Sequence, residues 1–492
     1  MTDHSESPSR TTASGTSRSR RSRARSAATV PVRHADGLLR RTFRSLHTRN
    51  YRLYFMTQVI SNSGTWMQSF AQAALVLYLA PKSALTLSIV VALQFGPVLV
   101  IGPWGGLIAD RADKRKLLIA TQSVMTLQAA TLALLTLTGA VQVWMIMVLA
   151  TVMGVANGID NPARQSFVIE MVGPDDVANA VALNSVIVNT SRVVGPAIGG
   201  LFVLFARSSL AGLGWCFAAN AVSYLFVIAA LAAMRVAELQ RAQRVSPKRG
   251  QLRAGFAYVR RTPALYVPLL MMAVVGTLSY NFSVVLPLMA RVSLGGDTRS
   301  IATLMTAMGV GALAGGLWVA ARSRPSRRLL VAGTALFGAA AVVAALMPSL
   351  AWEAAVLVPM GAFSVLFIAT TNSLLQLNSE PSMRGRVMSL WAVVFLGSTP
   401  IGSLLVGSIA DRFGPRVAFA FGGVAALLTG LVAGWVLWRR LRAAAPEPVE
   451  RPEHTATCLP SDPEQDEAVG DIEAERHEAG QQGTLRPGLQ PR

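Results

Sequence analysis

Three groups of residues in this chain have the types and spacing to do chemistry. The first is Gly105-Gly106-Leu107-Ile108-Ala109-Asp110-Arg111-Ala112-Asp113-Lys114-Arg115-Lys116, which lies between two long apolar runs. Glycine lets helices approach closely, a carboxylate at a helix end pairs with a base, and interfacial lysines reach anionic headgroups. At these spacings Gly106, Asp110, Arg111, Lys114 and Arg115 read as a conformational latch rather than only a basic turn. The second is Asp160, flanked by Asn157 and Asn161 and followed one turn later by Arg164. It is the best candidate for taking up a proton, and an i,i+4 surface pair with Arg164 is the plainer alternative. The third is Arg192, midway along an apolar run. A guanidinium at the centre of a bilayer must face protein or water and find partners there. Arg192 is therefore either a structural arginine held by carbonyls and amides, or a coupling or substrate residue.

The elements that must position these groups are membrane helices. Runs near the length that crosses hydrocarbon fall at 53–79, 85–109, 117–138, 141–160, 179–205, 213–234, 264–290, 300–321, 329–347, 353–377, 387–409 and 417–438. That pattern predicts an all-α polytopic membrane protein of twelve transmembrane helices in two pseudo-symmetric sets of six. Gly105-Gly106-Leu107 recurs as Gly315-Gly316-Leu317, and Gly195-Pro196-Ala197-Ile198-Gly199-Gly200 is echoed by Thr399-Pro400-Ile401-Gly402-Ser403. Both echoes fall at matching places in the two sets, as an internal repeat requires.

Composition points the same way: 52% of residues are hydrophobic, 14% are charged, and the mean hydropathy is +0.45. The net charge of +20 invites a nucleic-acid reading, but 19 Lys and Arg lie in the loops after helices 2, 4, 6, 8 and 10, against 6 in the alternate loops. Positive-inside orientation accounts for much of the excess. It places both termini and the central loop in the cytoplasm and expects no nucleic-acid partner. The chain divides into a basic, disordered N-terminal tail (1–50), a six-helix bundle (51–234), a basic central loop (235–263), a second six-helix bundle (264–442) and an acidic, disordered C-terminal tail (443–492). Cys216 and Cys458 read as free thiols. The five histidines lie outside the apolar runs and no Walker glycine-Lys-Ser/Thr loop occurs. Metal, His-triad and ATP-driven chemistry have no residues to rest on, so no cofactor or metal is expected and the chain does not read as an enzyme.

The 106–116 segment resembles the loop 2–3 signature of the major facilitator superfamily, with Asp113 in place of the usual second glycine. Within that superfamily, the stretches Asn161-Pro162-Ala163-Arg164-Gln165-Ser166-Phe167, Asn179-Ala180-Val181-Ala182-Leu183-Asn184-Ser185 and Arg384-Gly385-Arg386-Val387-Met388-Ser389 resemble the transmembrane secretion effector group, over about residues 40 to 440. The resemblance implies the major facilitator fold in the cytoplasmic membrane and export of a small organic molecule by alternating access, commonly driven by proton entry. Siderophore-like, drug-like and other secondary metabolites are the expected substrates, membrane lipids the surroundings, and a monomer the expected state.

Gly195, Pro196, Gly199 and Gly200 resemble the end of the superfamily's antiporter motif, although a packing seam and kink explain the same residues. The superfamily's helix 4 motif has an arginine that would fall on Gly154 here. In this superfamily helices 1, 4, 7 and 10 line the path. Helix 1 carries Gln58, Asn62, Thr65, Trp66, Ser69 and Gln72 along one face. Tyr280 and Asn281 follow on helix 7, with Asn372 and Gln376 on helix 10. Together they suggest a polar-aromatic pocket without fixed charge. Import, facilitated release, a membrane scaffold or a lipid-modifying enzyme remain as alternatives at this stage.

Overall fold

Every apolar run expected to cross a membrane is helical in the computed structural model, which describes residues 43–443 apart from 82, 174–175, 241–250 and 323–324. The first six crossings are α1 (Arg49–Leu79), α2 (Ala84–Arg111), α3 (Lys114–Leu137), α4 (Val143–Val172), α5 (Val177–Phe205) and α6 (Ser209–Ala232). A short helix, α7 (Gln251–Arg261), precedes the seventh crossing. That crossing is split into α8 (Pro263–Leu278) and α9 (Phe282–Leu288), with a π turn at Met289–Ser293. The remainder are α10 (Thr298–Ala321), α11 (Arg327–Leu346), α12 (Leu350–Leu377), α13 (Arg384–Phe413) and α14 (Pro415–Ala443). No strand occurs among the described residues.

Eleven of the crossings are long and apolar enough to span a bilayer on composition alone. The exception is α1, whose row of Gln, Asn, Ser and Thr lowers its hydropathy. Its polar face thus sets it apart from the other crossings.

Side chains fix where helices start and glycines where two of them stop. Ser83, Asp113, Ser208 and Ser326 each accept a backbone N–H of the first turn, and Asp297 with Ser300 forms a reciprocal capping box. Free first-turn donors are what such caps satisfy. Asp113 therefore has a local reason to stand where the superfamily signature has glycine: it caps α3. Gly173 (φ +74°) ends α4 and Gly414 (φ +90°) ends α13, conformations that favour glycine.

The helices run past their apolar cores, which corrects several expected boundaries. Arg164, expected in a loop, lies inside α4, and Arg384 and Arg386 open α13. Residues 43–50, expected in the N-terminal tail, are ordered: a 3-10 turn at Arg44–His47 leads into α1, and Ser45 is buried. Its amide and hydroxyl donate to Asn179 Oδ1 at 3.0 and 2.7 Å. The expected central loop carries α7. Residues 1–42, 241–250 and 444–492, with Cys458, lie outside the described residues.

The described residues up to Leu437 form one compact unit, and those from Trp438 belong to a second that is described only to Ala443. Within the first unit the two sets of six pack alike. α2 lies on α4 and α1 on α5 and α6; α10 lies on α12 and α8 on α13. The α2–α4 and α10–α12 pairs touch backbone to backbone. A Cβ added at Gly105 would lie 2.2 Å from the Gly158 carbonyl oxygen, and one added at Gly311 would lie 1.7 Å from that of Val358. The glycine that permits close approach in the latch segment is thus Gly105, and not Gly106 as expected: nothing lies within 4 Å of a Cβ at Gly106.

Two seams join the sets, α2 against α13 and α5 against α10. Their contacts run from the end opposite the basic loops, here called the far end, to the middle. At the far end the Ala84 N–H donates to the Asp411 carboxylate (3.1 Å), Gly407 lies on Ser88 and Gly200 on Ala302. At mid-height Gly397 meets Leu99 and Gly309 meets the Arg192 backbone. Toward the basic end of α2 and α13, nothing among the described residues lies within 4 Å of a Cβ built at Gly102, Gly106 or Gly385. The contacts recorded across the seams thus lie at the far end and at mid-height.

Candidate functional site: a polar cluster, an arginine at the seam and an aromatic wall

In the basic third of the first set, Asp160 is fully buried and well supplied with donors. Thr121 Oγ1 (2.7 Å) and Gln122 Nε2 (2.9 Å) donate to one carboxylate oxygen, and Arg164 Nε (2.9 Å) and Nη2 donate to the other. Arg164 also donates through Nη1 to Gln58 Oε1, which accepts in addition from Asn62 Nδ2 at 3.1 Å. The i,i+4 pair is therefore real, and it is not the surface pair of the plainer alternative. It is buried and tied through Gln58 to Asn62, two of the residues expected to line the path. A buried carboxylate needs such a shell, because an ion without partners in low dielectric is strongly disfavoured.

The polar ladder continues up α1. Gln68 Nε2 donates to Gln128 of α3 (3.1 Å) and its Oε1 accepts from Asn220 of α6 (2.7 Å). Thr65 meets the Tyr224 hydroxyl at 3.1 Å, and Gln72 Nε2 donates to Gln94 at 3.0 Å. Ser69 instead returns its hydroxyl to the Thr65 carbonyl (3.1 Å) and joins no neighbouring helix through it.

Arg192 sits on α5 at mid-height with its guanidinium 5.0 Å from the centroid of the Trp66 ring. A cation over an indole face is a favourable contact, so two residues singled out separately are partners. Arg192 Nε is buried with no acceptor among the described residues. Around it the packing motif does two jobs. Gly195 and Gly199 bring α5 onto Trp66, Met67 and Phe70 of α1, while Gly200 meets Ala302 of α10 in the other set. Pro196 lies inside α5.

The second set is built differently. The break between α8 and α9 turns Tyr280 into a ring cluster, with centroids 4.6 Å from Phe282, 6.2 Å from Phe337 and 6.4 Å from Phe395. Trp391 stacks on Phe395 at 5.2 Å and 5°. Asn281 is buried, donates to the Thr277 carbonyl (2.7 Å) and packs on Gly402 of α13. Asn372 and Gln376 hydrogen-bond to each other near the basic end of α12, where Gln376 is exposed.

The latch residues do not act as one group here. Lys114 pairs with Glu170 of α4 at 2.5 Å, both mostly buried, and Arg115 donates to the last carbonyls of α6, Leu231 and Ala232. These bases are held by protein, which corrects the expectation that they anchor at headgroups. Asp110 is exposed and makes no ion pair with a described residue. With Arg111, Lys114 and Arg115 it lines a pocket of about 180 Å³ closed by Phe167, Val236 and Leu239.

Sequence reasoning missed Gln68, Gln128 and Asn220, since the pairing of three amides on three helices is tertiary information. It also passed over Glu353, the first residue of the run expected at 353–377. Glu353 is in the first turn of α12, fully buried, and neither carboxylate oxygen has a hydrogen-bond partner among the described residues.

An all-helical fold in two matching sets of six, with helices of membrane-crossing length, is that of a polytopic membrane protein. Residues 41–464 match the transmembrane secretion effector family, and the chain belongs to that family of the major facilitator superfamily. Similar curated proteins include macrolide efflux protein A of Streptococcus pyogenes, 24% identical over 78% of this chain and 96% of its own length. The staphyloferrin A transporter of Staphylococcus aureus is 24% identical over 77% and 94%. Among solved structures, a POT family transporter bound to a thioalcohol conjugated peptide superposes with a TM-score of 0.65 at 12% identity, covering 82% of this chain and all of that one. A bacterial homologue of the lysosomal transporter Spinster, inward-facing and unoccupied, gives 0.59 at 15%, covering 80% and 97%. These likenesses carry the fold.

Proposed function

We propose that this protein exports a small organic molecule, siderophore-like or drug-like, across the cytoplasmic membrane in exchange for protons. Near full-length similarity to macrolide and siderophore transporters supports the substrate class and direction. The observation that carries the coupling is the Asp160–Arg164–Gln58–Asn62 chain, which links a buried carboxylate to the face of α1. Protonation of Asp160 frees Arg164 from its ion pair and alters what Gln58 and Asn62 offer to a substrate. On this reading the basic end is the cytoplasmic end, and the seam contacts gathered at the far end support loading from the cytoplasm. Two sets of six that rock about the seams, with both termini cytoplasmic and one chain sufficient, complete the reading.

Inverted membrane vesicles test it. A labelled macrolide or siderophore should accumulate without ATP, and a protonophore should abolish the accumulation. Accumulation that survives collapse of the proton gradient would overturn coupling, and none with either class would overturn the substrate reading. Asp110→Asn should cut transport while leaving membrane insertion intact, because it removes a charge at a moving interface and no packing volume.

A further inference from the structure

The segment Gly106-Leu107-Ile108-Ala109-Asp110-Arg111 at the basic end of α2 has a near-copy, Gly407-Ser408-Ile409-Ala410-Asp411-Arg412, at the far end of α13. The two differ at one position, and they occupy opposite ends of two helices that pack against each other across a seam. This is not the repeat that relates the two sets of six, which couples Gly105-Gly106 to Gly315-Gly316. It is a second use of one motif, turned end for end. In the state described here the two copies are in opposite conditions. The Asp110 copy is open, with nothing within 4 Å of a Cβ at Gly106. The Asp411 copy is engaged: its carboxylate accepts the Ala84 N–H, the first amide of α2, and a Cβ at Gly407 would lie 1.8 Å from Ser88 Oγ.

We infer that Gly407 and Asp411 form a second latch, which holds the far end shut by capping α2 from the other set of helices. α2 begins with free N–H groups. Its own Ser83 accepts one, from Thr86, and Asp411 accepts another. A carboxylate at a helix N-terminus also meets the positive end of the helix dipole. Gly407 is required because the approach that brings Asp411 within reach leaves no room for a side chain over Ser88. Opening the far end exposes the Ala84 amide and parts Gly407 from Ser88, so the latch biases the equilibrium toward the state open at the basic end.

The test reads conformation and not transport, so its failure is separable from failure of the export reading. In full-length protein with Cys216 and Cys458 replaced, spin labels at Ser208 and Pro348 report the far end and labels at Lys116 and Arg328 the basic end. Asp411→Ala should lengthen the far pair and shorten the basic pair, with the ratio of far-closed to far-open molecules falling about five-fold, the factor that loss of one helix cap represents. Asp411→Asn, which can still cap, should stay near the parent distribution. Gly407→Ala should shift the distances in the same direction as Asp411→Ala, and Ser88→Gly in the same molecule should restore them. This second route holds if Asp411→Ala expresses poorly. Unchanged far-end distances in both Asp411→Ala and Gly407→Ala would overturn the latch, and an Asn variant as open as the Ala variant would overturn capping as its cause.

Discussion

The two sets of six share a helix plan and differ in what fills it. In the first, α1, α3, α4 and α6 exchange hydrogen bonds through Gln58, Asn62, Gln68, Gln128, Asp160, Arg164 and Asn220. In the second, the corresponding region is a wall of rings, Tyr280, Phe282, Phe337, Trp391 and Phe395. A hydrogen-bonded cluster that contains a buried ion pair has few acceptable arrangements, because each missing partner is penalised. A ring wall is tolerant, since its contacts are dispersive and broad in geometry. Under the proposed function, proton chemistry falls to the side that can count hydrogen bonds and substrate bulk to the side that can adapt.

The largest expected effect lies at the buried ion pair of the first set. Arg164→Leu leaves the Asp160 carboxylate buried without its cation, and stability should fall by about 3 kcal/mol or more, read as a lower thermal midpoint in detergent. Asp160→Asn with Arg164→Leu should recover most of that loss without recovering transport. Equal stability in the single and double variants would show that the pair is not coupled.

Arg192 is the next test, because its cation over Trp66 belongs to the first set while its backbone meets Gly309 of the second. If it serves transport, Arg192→Met should be well folded and inactive, and Arg192→Lys partly active, since lysine keeps the charge and loses the planar fork. If it only holds the seam, both should lose thermal stability in step with activity. A normally stable, fully active Arg192→Met would exclude both roles.

On the aromatic side the effects should be smaller and confined to binding. Tyr280→Leu removes ring contacts worth about 1 kcal/mol and should weaken apparent substrate affinity by roughly five-fold, with the same maximal rate. A fall in maximal rate at unchanged affinity would move Tyr280 from the substrate to the machinery. Smallest of all, Gln376→Ala, exposed near the basic end of α12, should change stability by less than about 0.5 kcal/mol and substrate affinity by less than two-fold. A larger loss would extend the polar site into the second set and weaken the contrast.

Much of the architecture was legible because a bilayer imposes one rule, the apolar run of membrane length, and eleven helices obey it. The rule reports hydrocarbon and not helix, so it placed Arg164 and Arg384 in loops although both lie in helices that continue into the interfacial zone. The run at 353–377 shows the same limit: it starts at Glu353, while the helix starts one turn earlier, at Leu350. The split of the seventh crossing at residues 279–281 carries no glycine or proline to announce it. In the site, Gln58, Asn62 and Trp66 were legible from their spacing along α1. Their partners were not, since Arg164 and Arg192 reach them only once helices far apart in sequence are packed. Gly105 and Gly106 are adjacent and identical in type, and only the partner helix decides which one bears the contact.

The backbone contacts at Gly105 and Gly311 also bear on how such a protein can change over generations. At either position even a methyl group would overlap a carbonyl of the facing helix, so the α2–α4 and α10–α12 plates admit almost no substitution at these points. The ring wall tolerates exchange of one bulky side chain for another. Under the proposed function, a change of substrate is open to redecoration of that wall, while the two plates stand as the fixed chassis beneath it.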